Sequence, residues 1–150
     1  MKRLSALPLL CLLVLSLLPA GCTSYNERTT TGANLAAKKH FFVLSNLNDN
    51  HAIDRLVEAE LKSRGYDGSS GPHTMMPDDA EVLVTYDENW AWDFGDHLVY
   101  LQLTATNTRT GELYATASFK AKIPSNKSVE KIIAELIDRM LVDAKAKKKH

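Results

Sequence analysis

Val99-Tyr100-Leu101-Gln102-Leu103-Thr104-Ala105-Thr106, then Asn107-Thr108-Arg109-Thr110-Gly111, then Leu113-Tyr114-Ala115-Thr116-Ala117-Ser118-Phe119-Lys120-Ala121-Lys122 is the stretch that decides the fold. Apolar residues recur at every second position on both sides of the turn, the period of a strand with one covered and one solvated face. Val99, Leu101, Leu103 and Ala105 make one apolar row, opposed by Tyr100, Gln102, Thr104 and Thr106. Leu113, Ala115, Ala117, Phe119 and Ala121 make the next, opposed by Thr116, Ser118, Lys120 and Lys122. Gly111 suits the left-handed position of a bulged hairpin loop. Two such rows predict an antiparallel sheet with helices over its apolar side and water on the other.

The rest of the chain supplies those helices. Ser128 offers an N-cap for a helix whose Val129, Ile132, Ile133, Leu136, Ile137, Met140 and Leu141 form an unbroken apolar stripe, with Glu135 and Arg139 placed to pair one turn apart. Upstream, His40-Phe41-Phe42-Val43-Leu44 reads as a strand. Asn48-Asp49-Asn50 offers capping oxygens to a helix carrying Ile53, Leu56, Val57 and Leu61, and Gly65 stops it. Residues 67–79, rich in Gly, Ser and Pro, read as a long loop. Period two returns with Val82, Val84 and Tyr86. The expected order is β-α-β-β-β-α, an α+β two-layer sandwich with a mainly antiparallel sheet and two helices on one face.

Composition narrows the function. Eighteen Lys and Arg balance eighteen Asp and Glu in 150 residues, which gives no electrostatic case for a nucleic-acid binder. Both cysteines lie in the first 22 residues, leaving none in the folded part for a disulfide, a zinc site or a thiol nucleophile. Lys2 and Arg3, the apolar run Leu4 to Leu18, and Pro19-Ala20-Gly21 before Cys22 resemble a bacterial lipoprotein signal ending in its lipobox. Pro19 stands where that signal usually has Leu. The resemblance implies a signal peptide over residues 1–21 and acylation of Cys22; the alternative is an ordinary secretory signal cleaved nearby. Thr23 rather than Asp after the cysteine implies sorting to the outer membrane, facing the periplasm. Residues 22–39, with no sustained apolar period, read as the acylated Cys and a flexible tether. The domain then spans residues 40–143, and residues 144–150 (AKAKKKH) are a basic tail.

Chemistry is sparse. Asp87-Glu88-Asn89-Trp90-Ala91-Trp92-Asp93-Phe94-Gly95-Asp96-His97 gathers four carboxylates and a histidine, but without the spacing of a calcium loop. Trp90, Trp92 and Phe94 share the parity of Val82 and Val84. They belong to the core unless the strand bulges, in which case a Trp becomes an interface anchor. Ser128-x-x-Lys131 imitates a penicillin-binding nucleophile motif without its companions, so Ser128 reads as a cap. No catalytic, metal or cofactor residues are expected.

Pro77-Asp78-Asp79-Ala80-Glu81-Val82-Leu83-Val84-Thr85-Tyr86, Trp90-Ala91-Trp92-Asp93 and Thr110-Gly111-Glu112-Leu113 resemble motifs of a family of small, uncharacterised bacterial envelope lipoproteins, with one extra acid at Asp79. The likeness runs over roughly residues 40–141. It implies the same α+β domain and no catalytic residues. The function expected is therefore a membrane-anchored, non-catalytic binding or structural domain held by acylated Cys22 and serving an envelope protein partner. The rival expectation is a periplasmic small-molecule or lipid carrier using the 67–79 loop and the Trp segment. A weaker third is a metal-assisted hydrolase on Asp87, Asp93, Asp96 and His97.

Overall fold

The computed structural model describes residues 23–30, 34–92, 95–122 and 125–142. The signal segment, Cys22, Asp93, Phe94 and the basic tail lie outside the described residues. Six strands and two helices follow in the order β1 (Thr23–Thr29), β2 (His40–Leu44), α1 (Ile53–Ser63), β3 (Asp67–Gly71), β4 (Val82–Ala91), β5 (His97–Asn107), β6 (Leu113–Ala121) and α2 (Val129–Leu141). One sheet holds all six strands in the order β1-β6-β5-β4-β2-β3. It is mixed: β2 runs parallel to both β3 and β4, and the other pairings are antiparallel. The α+β class and the β4, β5, β6 meander are as the period-two pattern predicts.

Two segments differ from expectation. Thr23–Thr29 is a strand paired residue for residue with β6, from Thr23 opposite Ala121 to Thr29 opposite Ala115, where the sequence reads as a tether. Its ladder comes from backbone groups, so it needs little apolar content of its own. Tyr25 docks it, packing on Phe119 with ring centroids 5.3 Å apart. The Lys127 ammonium and Arg139 guanidinium lie 5.0 and 4.7 Å from the Tyr25 ring centroid. Arg139 also pairs with Glu27 at 2.7 Å, and Lys127 with Glu135 at 2.7 Å, so the expected Glu135–Arg139 pair gives way to partners the extra strand and the pre-helical loop bring in. Tyr25→Ala is expected to cost about 1–2 kcal/mol through lost ring and cation–π contacts. Backbone amides of Thr23–Thr29 should then exchange faster than those of β5, which hydrogen exchange would read.

Residues 67–79 likewise hold a strand rather than only a loop. β3 (DGSSG) has no large side chain because α1 lies close: a Cβ on Gly68 would stand 3.4 Å from the Glu58 carbonyl oxygen and from Leu61 Cβ. The segment thus adds a backbone-paired edge strand to β2.

Burial follows the alternation with two slips. Val82, Val84 and Tyr86 on β4, Leu101, Leu103 and Ala105 on β5, and Ala115, Ala117, Phe119 and Ala121 on β6 are buried with Ile53, Val57, Leu61, Ile132, Ile133, Leu136, Ile137 and Met140. At the far end of β5 the register shifts, Asn89 opposing Tyr100 and Trp90 opposing Leu98, so Leu98 turns inward in place of Val99. At the start of β6 a second shift opposes Thr106 to Leu113, and Tyr114 is buried instead of Leu113. Each bulge adds one residue and flips the parity beyond it. Phe42 alternates away from Phe41 and Val43 yet is 1% exposed and lies outside this cluster, so the sheet's second side is not uniformly wet. α1 packs on β2 and β3, α2 on β6, β1 and β5, and the helices touch each other. Among the described residues no helix is long and apolar enough to cross a membrane.

Candidate functional site

The best-built polar arrangement lies where the β2–α1 connection meets the far part of β4. Ala52 takes the helix N-cap position with a left-handed backbone, φ 54°, and no side-chain oxygen of its own. Asp49 supplies the missing acceptors: one carboxylate oxygen accepts from the His51 amide at 2.7 Å, the other from the Ile53 amide at 2.6 Å. That second oxygen also accepts from the Tyr86 hydroxyl at 2.8 Å, and the Tyr86 oxygen accepts from the Asn46 amide at 3.1 Å. Burial works against ionising Asp49, but the hydrogen bonds from His51, Tyr86 and Ile53 outweigh it and hold the carboxyl below its ordinary range. Burial and the neighbouring Asp49 charge push the Tyr86 phenol well above its ordinary value.

His51 lies flat on Trp90, ring centroids 3.6 Å apart and planes 14° from parallel, with Nε2 3.6 Å from an Asp96 oxygen. Trp90 Nε1 donates to Glu88 at 2.8 Å. Burial raises the Glu88 carboxyl above its ordinary range, with the Asp49 charge adding to it. Asp49, His51 and Glu88 bring one ligand atom each within 4.8 Å of one another. Their hydrogen bonds join the β2–α1 connection to β4, and nothing here resembles a nucleophile with its base.

Two of the anticipated aromatic trio separate. Trp90 is half-buried at the margin of the core, Trp92 is 76% exposed just past the end of β4, and Phe94 lies outside the described residues. Of the set Asp87, Asp93, Asp96 and His97, Asp93 lies outside the described residues; Asp87 is exposed, His97 Nδ1 is bonded to the Gly95 carbonyl, and Asp96 turns to His51. Sequence reading missed His51 and the link from Asp49 to Tyr86 because the partners lie some forty residues apart and only the sheet brings them together. Only the capping pattern at Asn48-Asp49-Asn50 was visible. Ser128 caps α2, accepting from the Lys131 amide at 3.3 Å. The apolar space lined by Leu35, Phe41, Val57 and Met140 is about 10 Å³, at the lower limit for one water molecule. A polar hollow lined by Asn26, Arg28, Gln102, Leu113, Thr116 and Ser118 lies against β1 and β6.

Neither a protein-family model nor a curated protein matches the sequence. Among solved structures the chain is similar to PelC from Paraburkholderia phytofirmans, described as a dodecamer in two crystal forms. A point variant superposes with a TM-score of 0.59 at 13% identity, over 80% of this chain and 98% of that one. The second form gives 0.55 at 16% identity, over 79% and 95%. At these identities the likeness defines a shared α+β fold.

Proposed function

We propose that this chain is a lipid-anchored protein of the bacterial cell envelope, held through Cys22 in the outer membrane and facing the periplasm. Its two-layer domain, with both helices on one side of the sheet, acts by binding protein rather than by catalysis. The partner class favoured is further copies of the same chain. The observation that carries this is the fold likeness to a dodecameric protein over nearly all of that protein's length, together with two edge strands, β1 and β3, at opposite ends of the sheet. An edge strand presents unpaired backbone donors and acceptors, and two edges on one molecule allow head-to-tail contacts that close into a ring. The apolar space between helices and sheet, about 10 Å³, is too small to hold a carried molecule there.

The test is to purify the chain from membranes in mild detergent, measure its mass by sedimentation, and determine the mass of its N-terminal peptide. An assembly of many copies and a peptide beginning at acylated Cys22 are expected. A monomer at all concentrations would overturn the assembly, and an unmodified N-terminus would overturn the anchor.

A further inference from the structure

The direction of the strands places the chain's entry point and the exposed Trp92 at one end of the sheet. The pairings make β2, β3, β4 and β6 run one way and β1 and β5 the other. One end of the sheet therefore collects the last residues of β4 and β6 and the first residues of β5 and β1, Thr23 among them, whereas β2 and β3 stop near the level of Val84, several residues short of the end of β4. Thr23 is paired with Ala121 there, so Cys22 stands one residue, or about 3.5 Å of chain, from the folded domain. Among the described residues four large apolar residues are exposed, and one of them, Trp92, follows directly on a strand that finishes at this end. Trp92, 76% exposed, comes directly after β4; Leu47, 97% exposed, lies in the β2–α1 connection whose His51 stacks on Trp90; Met75, 66% exposed, packs at Gly71 on the opposite edge of the sheet, short of this end. The fourth, Val142, follows α2, whose contact of Arg139 with Glu27 shows it running back toward the other end.

We propose that this end of the domain is a second membrane contact: Trp92, with Leu47, enters the headgroup layer beside the acyl anchor. The inference rests on the acylation of Cys22 proposed above. With lipid on Cys22 and a strand beginning at Thr23, no length of free chain holds the domain away from the bilayer. An apolar residue at that end then meets the interface within a few ångströms, a zone 5–10 Å deep in which Trp partitions favourably. Lys122, exposed and next to Ala121, adds a cation at the level of the lipid phosphates. Asp96 and Glu88 near the same end oppose attraction to anionic lipid, so the contact is apolar and does not require it.

The experiment reads Trp92 directly. The membrane-purified chain with Trp90→Phe, which keeps an aromatic ring against His51, is placed in vesicles of phosphatidylcholine and phosphatidylethanolamine with and without bromine on the upper acyl carbons. Trp92 emission should shift to shorter wavelength in the vesicles and lose most of its intensity to the brominated lipid. Neither should change between low and high salt. Emission that stays long-wavelength and open to aqueous iodide, in protein whose N-terminal peptide carries acyl chains, overturns the membrane contact while leaving the anchor standing. Shielded emission that brominated lipid does not quench also overturns it and assigns Trp92 to a protein interface. An unacylated N-terminal peptide fails the anchor reading; the same quenching measured on that protein with added vesicles then decides whether the end binds lipid unaided.

Discussion

Phe119→Ala is expected to lower the unfolding free energy by about 3–5 kcal/mol, the range for removing a large aromatic from a closed core. Phe119 is fully buried on β6, opposite Leu101 on β5 and Tyr25 on β1. Its inward neighbours Ala115, Ala117 and Ala121 are small, so this ring fills most of the space between β6 and α2. Small neighbours cannot extend into a cavity, and truncation leaves most of the volume empty. Because Tyr25 packs on the same ring, the loss also loosens the docking of β1. Domains of this size carry about 5–15 kcal/mol in total, so the variant should unfold at much lower urea, read as a fall in midpoint at unchanged slope. Phe119→Leu should cost far less, about 1–2 kcal/mol, because most of the volume is kept. Equal, small effects for both substitutions would mean that the space between β6 and α2 is not closed.

What the chain discloses in advance follows from where its stability comes from. β4, β5, β6 and both helices bury rows of apolar side chains, and a row leaves a period in the sequence. β1 and β3 do not. TSYNERT contributes one ring and a ladder of backbone bonds, and DGSSG contributes the ladder alone, so neither carries a pattern that distinguishes it from a tether or a loop. The two bulges are equally silent. Val99 and Leu98 are both apolar, as are Leu113 and Tyr114, and only pairing to a neighbour decides which of each pair turns inward. The polar cluster was half legible. Asp49 announces itself as a cap, whereas its bond to Tyr86 and the His51–Trp90 stack exist because β4 runs on past its contact with β2 into the space above α1. The missed strand β1 matters most for the proposed function, since with the proposed anchor on Cys22 a domain paired from Thr23 is held close to the membrane rather than free at the end of a tether.

Asp49→Ala is the second large effect expected, a loss of about 2–3 kcal/mol. The substitution removes the side-chain acceptor for the Ile53 amide at the start of α1, worth about 1 kcal/mol as a helix cap. It also takes away the acceptor of the Tyr86 hydroxyl, and Tyr86 is 6% exposed, so the donor is left unsatisfied at a further cost of about 1–2 kcal/mol. Asp49→Asn keeps one oxygen that can accept but not both sites, and should recover about half of the loss. The pH dependence separates this from simple loss of packing. The Asp49 carboxyl lies below its ordinary value of 3.8 in the folded protein, so its contribution is fully present above that value. As the pH falls through the folded-state value the native protein must take up a proton, and the contribution disappears. Glu58, Glu81 and Glu135 are lowered as well and act with the same sign, whereas Glu88 is raised and opposes them: its ionised form disfavours the fold, a cost that acid relieves. Stability of the wild type and of Asp49→Ala, measured by thermal melts between neutral pH and acid, should therefore converge below about pH 4. A gap between the two that stayed constant to the acid end would mean that Asp49 acts by volume and not by its charge at the head of α1.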